Sequence, residues 1–175
     1  MAAKSIVFSI VLAVLCFASR DVWAQSPTAF RPASADQRAI ENAAFDWIAA
    51  FEAGDLPRLM QLYTADAYVA LHGQPALRGR EAVREYFASR IGQGTVDFRL
   101  DIERIEVAGR TAHLVSAYWF TLALPGKELY RDAGRSLLIY RKDRNGRWKI
   151  HVDIDQATPD VAFPVPGSAR KARIP

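Results

Sequence analysis

Apolar side chains recur at helical spacing from Ser34 to about Ile91, whereas from Thr95 to Asp155 they alternate residue by residue. The chain therefore reads as a helical half followed by a sheet half. In the first segment Ile40, Ala44, Trp47, Ile48 and Phe51 share one helix face. Ser34-Ala-Asp-Gln37 is a capping box ahead of it, and Gly54 supplies a left-handed stop. Asp55 and Pro57 open a short second helix with Leu59, Met60 and Tyr63 inward. A short strand, Ala67 to His72, precedes a third helix from about Arg80 to Ile91, which turns Val83, Tyr86 and Phe87 to the core.

In the second half Val96, Phe98, Leu100 and Ile102 share one parity, and Ile105 and Val107 take the other. A slip of one residue near Glu103 predicts a β-bulge, which bends a sheet. Ala108-Gly109-Arg110 turns the chain into a strand from Thr111 to Leu124, and Pro125-Gly126 turns it again. Strands from Tyr130 to Arg141 and from Arg147 to Asp155 flank the hairpin signal Asp143-Arg-Asn-Gly146. The expected architecture is α+β, with three N-terminal helices covering one face of a curved antiparallel sheet.

The ends differ in character. Lys4, the apolar run Ile6 to Phe17 and the cleavage-like Val22-Trp23-Ala24 predict a removable signal peptide over residues 1–24. The run is too short to span a bilayer. The expected destination is the periplasm or the exterior, with no stable membrane association after cleavage. Residues 25–34, with Pro27 and Pro32, read as a linker, 35–158 as one domain, and 159–175 as a Pro-rich basic tail that packs loosely or not at all. Cys16, the sole cysteine, lies in the signal, so the mature chain can form neither a disulfide nor a thiolate metal site. Losing Lys4, Arg20 and Asp21 lowers the formal net charge from +4 to +3. Part of the remaining excess lies in the tail, at Arg170, Lys171 and Arg173. A nearly neutral domain gives little reason to bind nucleic acid.

Four stretches, in order, are Trp47-Ile-Ala-Ala-Phe-Glu-Ala-Gly-Asp55, Leu62-Tyr63-Thr-Ala-Asp66-Ala67, Gly73-Gln-Pro-Ala-Leu-Arg-Gly79-Arg-Glu81 and Asn145-Gly-Arg-Trp148-Lys-Ile150. Together they resemble the nuclear transport factor 2-like superfamily, in particular its SnoaL-like and steroid delta-isomerase branch. The resemblance implies a cone-shaped, cystatin-like fold with a sheet curved around an apolar cavity, and a homodimer. In the isomerases a general-base Asp acts with a Tyr and a protonated Asp that stabilise an enolate. Alignment with them puts Trp47 at the position of that Tyr, Leu71 near the base and Leu138 near the protonated Asp. The standard isomerase apparatus is therefore missing, and only Tyr63 is kept from the surrounding polar network.

The last strand holds the candidate chemistry. Trp148, Ile150, Val152 and Ile154 alternate with Lys149, His151, Asp153 and Asp155. Alternation sends the apolar set to the core and the polar set to water. The resemblance instead places His151, Asp153 and Asp155 along the cavity, and the two assignments conflict. On the second, burial and the neighbouring charge raise the pKa of Asp153 and suit it to general-base work beside His151. Trp47, Tyr63, Leu71, Phe87, Phe98, His113, Leu138 and Asp155 are the expected pocket residues. A lone His on an otherwise apolar face, as His113 is, is more often a hydrogen-bonded core residue than a catalytic one. Arg135 could hold a ligand carboxylate near the mouth, and Asp66 is expected to cap or turn the backbone.

His72, His113 and His151 sit on separate strands without tight ligand spacing, so no metal or other cofactor is expected. Gly-rich phosphate loops, a Gly-x-Ser-x-Gly elbow and His-Glu-x-x-His are absent, which disfavours the common hydrolases and nucleotide enzymes. The expected function is binding of a small hydrophobic molecule, with isomerase-, cyclase- or dehydratase-like chemistry. The alternative is a non-catalytic module for dimerisation or protein interaction.

Overall fold

Two reciprocal hydrogen bonds fix where the first helix starts. Ser34 Oγ accepts from the Gln37 backbone N–H at 3.1 Å, and Gln37 Oε1 accepts from the Ser34 N–H at 3.2 Å. The Gln37 side chain also donates to the Ile105 carbonyl at 2.9 Å, so the cap is tied to the sheet. Helix α1 runs over Ala35–Glu52, and Gly54 beyond it has φ +70°, a conformation costly for any residue with a Cβ. The computed structural model describes residues 30–163; the expected signal peptide, most of the linker and the tail from 164 lie outside the described residues.

Asp55 caps α2 (Leu56–Gln61) by accepting from the Arg58 N–H. Tyr63, expected on this helix, is instead the first residue of β1 (Tyr63–Ala70). The Leu62 carbonyl accepts from the Ile150 N–H at 2.8 Å, so the sheet ladder captures the chain one residue after the helix. The strand also begins four residues earlier than expected, because Thr64, Ala65 and Asp66 carry no apolar alternation. A two-residue strand, β2 (Leu77–Arg78), is too short to leave a periodic signal. Helix α3 spans Arg80–Ala88 and buries Val83 and Phe87.

Strands β3 (Thr95–Ala108), β4 (Thr111–Ala123), β5 (Tyr130–Lys142) and β6 (Trp148–Gln156) form the antiparallel meander. The sheet order is β2-β1-β6-β5-β4-β3, with β1 and β6 parallel. That parallel pair was not expected. It arises because β2 and α3 carry the chain to the far edge, and three reversals return it beside β1. Between helices and sheet lies the core, with Ile40, Leu59, Tyr63, Val69, Val83, Leu114 and Ile150 all but sealed from solvent. Each large apolar side chain buried there contributes about 1.5–3 kcal/mol.

Two bulges shape the antiparallel meander. On β3, Ile102 pairs with Ser116 and Arg104 with Val115, leaving Glu103 as the extra residue at the expected place. On β6, Ile150 pairs with Tyr140 and Val152 with Ile139, leaving His151 as a second extra residue. Because side chains alternate, one inserted residue reverses the faces of everything beyond it.

Beyond β6 the chain folds back on the sheet face turned away from the helices. Val161 is buried, Trp119 Nε1–H donates to the Ala162 carbonyl at 3.1 Å, and Arg135 pairs with Asp160 at 2.7 Å. Val161 is thus packed, because Trp119 and Arg135 hold the residues flanking it, while Pro159, Asp160 and Ala162 stay exposed.

Candidate functional site

The bulge at His151 resolves the conflict over the last strand. Before it Trp148 and Ile150 face the core; after it Asp153 and Asp155 do, while Ile154 is exposed. Both assignments hold, each for half of the strand. His151 itself is turned out of the cavity. Its Nδ1 lies 3.2 Å from Thr64 Oγ1 and 3.5 Å from Asp66 Oδ1, which leaves it no part in chemistry inside.

Asp153 and Asp155 belong to the wall of a cavity of about 480 Å³ enclosed by α1, α3 and the inner sheet face. Trp47, Leu71, Phe87, Phe98 and Leu138 stand in the same wall. Tyr63 is buried directly behind it, hydrogen-bonded to both Trp47 and Asp153. His113 is not in the wall. It lies on the opposite face of β4, 3.5 Å from Glu106, because Leu114, Ser116 and Tyr118 are the inward residues of that strand. Arg135 is likewise outside, spanning Glu103 and Asp160, so it is already committed to protein carboxylates. Asp66 lies within β1 and pairs with Arg141 at 3.1 Å, a cross-strand contact where a backbone cap was expected.

Part of the cavity wall is aromatic. Trp47 stacks on Phe51 with centroids 5.1 Å apart, and Phe98 meets Trp47 edge-on at 5.5 Å. The same wall also carries acidic and phenolic groups. Tyr118 donates to Asp132 Oδ2 at 3.3 Å, and the His72 backbone N–H donates to Asp155 Oδ1. Among the described residues none of Asp132, Asp153 and Asp155 forms an ion pair, and no group of His, Cys, Asp and Glu is arranged to hold a metal ion.

Asp153 is only 7% exposed. Burial pushes its carboxyl up to about 7, the charge of Asp155 adds to that effect, and the hydrogen bond from Tyr63 opposes it. Burial also raises Asp155, against the pull of the His72 N–H. Tyr63 is raised well above the usual phenol range, first by burial and then by the Asp153 charge, so it stays a proton-bearing donor. The site therefore holds a carboxyl able to take or give a proton near neutrality, facing an apolar space.

Sequence reading missed Asp132 and Tyr118. Asp132 shares parity with Leu138 on β5, which would have found it. Tyr118 was hidden because both faces of β4 are apolar, with Val115, Ala117 and Trp119 on one side and Leu114, Tyr118 and Phe120 on the other.

A family model for the SnoaL-like domain matches residues 44–151. The chain belongs to the SnoaL-like domain family. Its relationship to solved structures shows the nuclear transport factor 2-like fold. A ketosteroid isomerase-like protein from Erwinia carotovora atroseptica is 24% identical with a TM-score of 0.59, covering 69% of this chain and 96% of that one. A candidate dehydratase of the same fold family from Streptomyces avermitilis is 21% identical with a TM-score of 0.63, covering 71% and 97%. A candidate scytalone dehydratase from Novosphingobium aromaticivorans is 20% identical with a TM-score of 0.66, covering 74% and 89%. No curated protein matches this SnoaL-like chain in sequence.

Proposed function

We propose that this SnoaL-like protein binds a small, largely apolar molecule in its cavity and that Asp153 serves as general acid–base toward it. The observation that carries this reading is a buried carboxyl, pushed up to about 7, in the wall of a largely apolar cavity. Solved relatives described as isomerase-like or as candidate dehydratases support a proton-transfer reaction of that kind. Asp153 reaches the cavity from the last strand, and the isomerase positions at Trp47, Leu71 and Leu138 carry no acid. Isomerisation, cyclisation or dehydration by other means is therefore favoured over the standard ketosteroid route.

The test is native mass spectrometry of gently purified protein, followed by assays on whatever ligand is released. A retained hydrophobic compound, turned over by the wild type and not by Asp153→Asn, is the expected result. A cavity that retains nothing and takes up no apolar compound overturns the reading. If Asp153 acts as a base, the rate should rise as pH increases through about 7, the direction in which the carboxyl loses its proton.

We also propose export and a homodimer. Met1 to Ala24 supports export, and a mature N-terminus near Gln25 in extracytoplasmic protein is its test. The paired, exposed Leu137 and Ile154 on the outer sheet face support the dimer. Sedimentation should show a dimer that Leu137→Arg splits; a monomeric wild type at tens of micromolar contradicts it.

A further inference from the structure

Trp47 Nε1–H donates to Tyr63 Oη at 2.8 Å, and Tyr63 Oη lies 3.1 Å from Asp153 Oδ2. An indole N–H can only donate, so Tyr63 must accept there. The phenol proton is then left to point at Asp153. The direction of both bonds is thus set by chemistry, without any choice of rotor. Asp153 Oδ2 is committed as an acceptor, while Oδ1 has no hydrogen-bond partner among the described residues, in a side chain that belongs to the cavity wall.

We infer that Trp47 and Tyr63 form a one-way positioning relay that reserves Oδ2 of Asp153 for the protein and dedicates Oδ1 to proton exchange with the ligand. It rests on the reading of Asp153 as the acid–base group and deepens it. Trp47 is also part of the aromatic wall, so the relay joins a ligand-contacting ring to the reacting carboxyl through two hydrogen bonds. Tyr63 is buried completely, which keeps water from competing for either bond.

The groups around Asp153 leave this role to Tyr63. Asp155, on the same strand, is a like charge and cannot donate when ionised. Tyr140 from β5 is completely buried beside it, with a hydroxyl that has no hydrogen-bond partner. Asp132 and Tyr118, from β5 and β4, bond each other. His72 donates its backbone N–H to Asp155.

The test is the titration of the Asp153 carboxyl, followed by ¹³C NMR of aspartate-labelled protein and assigned with Asp153→Asn. Tyr63→Phe removes a donor that stabilises the carboxylate, so its midpoint should rise by about one pH unit. Trp47→Phe should produce a smaller rise. Because Trp47 acts only through Tyr63, adding Trp47→Phe to Tyr63→Phe should change nothing further. A merely structural Trp47 would shift the midpoint equally in both backgrounds, and an unmoved midpoint in Tyr63→Phe overturns the relay outright. Should Tyr63→Phe not fold, the wild type still decides. The ¹⁵N resonance of the Trp47 indole, assigned with Trp47→Phe, should titrate with the midpoint of Asp153, and a flat response refutes the coupling. A carboxyl that titrates in the ordinary aspartate range removes the acid–base reading itself. One that titrates near neutrality with unresponsive variants removes only the relay.

Discussion

A carboxyl enclosed by Tyr63, Tyr140 and Asp155 is harder to ionise than one in the unfolded chain, and that difference is a statement about stability. The folded state holds the Asp153 proton more tightly, so its contribution is fully present below about pH 4. It is lost as pH rises through about 7. Asp153→Asn cannot ionise and keeps an acceptor for Tyr63. Urea unfolding should therefore show the variant more stable than the wild type at pH 8, on the order of a few kcal/mol, with the gap closing at pH 4. A gap that is equal at both pH values would mean that the carboxyl is not raised. The same residue shows what sequence could and could not reveal. Its acidic character, the pull of Asp155 and the polar role of Tyr63 were legible, whereas Tyr140, completely buried on β5, had no local signal.

Helices and strands were largely readable because each carries its own signal. Ser34 and Gln37 announced α1, and the change of parity after Ile102 announced the Glu103 bulge. Removing the cap with Ser34→Ala should cost about 1 kcal/mol in chemical denaturation. The bulge at His151 was not readable. Val152 and Ile154 continue the apolar alternation of Trp148 and Ile150, so the strand looks regular, and only its pairing with Tyr140 and Ile139 reveals the extra residue. The short β2 and the early start of β1 were lost for the same reason: pairing with distant strands overrode a weak local pattern. Where β5 passes the end of β6, Gly134 leaves no room for a side chain. A Cβ there would lie 2.1 Å from the Gln156 carbonyl oxygen. Gly134→Ala should destabilise the protein by about 2 kcal/mol or more, or displace the residues after Gln156. Thermal unfolding and amide exchange over 157–163 distinguish the two outcomes.

At the scale of the molecule the sheet offers two working faces. The inner one forms the cavity wall, and the outer one carries the folded-back 159–163 segment beside exposed Leu137 and Ile154. Arg135 holds that segment through Asp160, and Glu103, the bulged residue of β3, holds Arg135 in turn. Arg135→Gln should loosen the segment and leave the cavity intact, read as faster amide exchange at Val161 with an unchanged Asp153 titration. Trp47 gives the whole assembly a practical property. Its indole stands in the cavity wall, whereas Trp119 and Trp148 do not. An indole emits at shorter wavelengths when an apolar occupant replaces water at its face, so the protein carries its own optical gauge of occupancy. Unlabelled compounds can be ranked by the emission colour they induce, before any reaction is known.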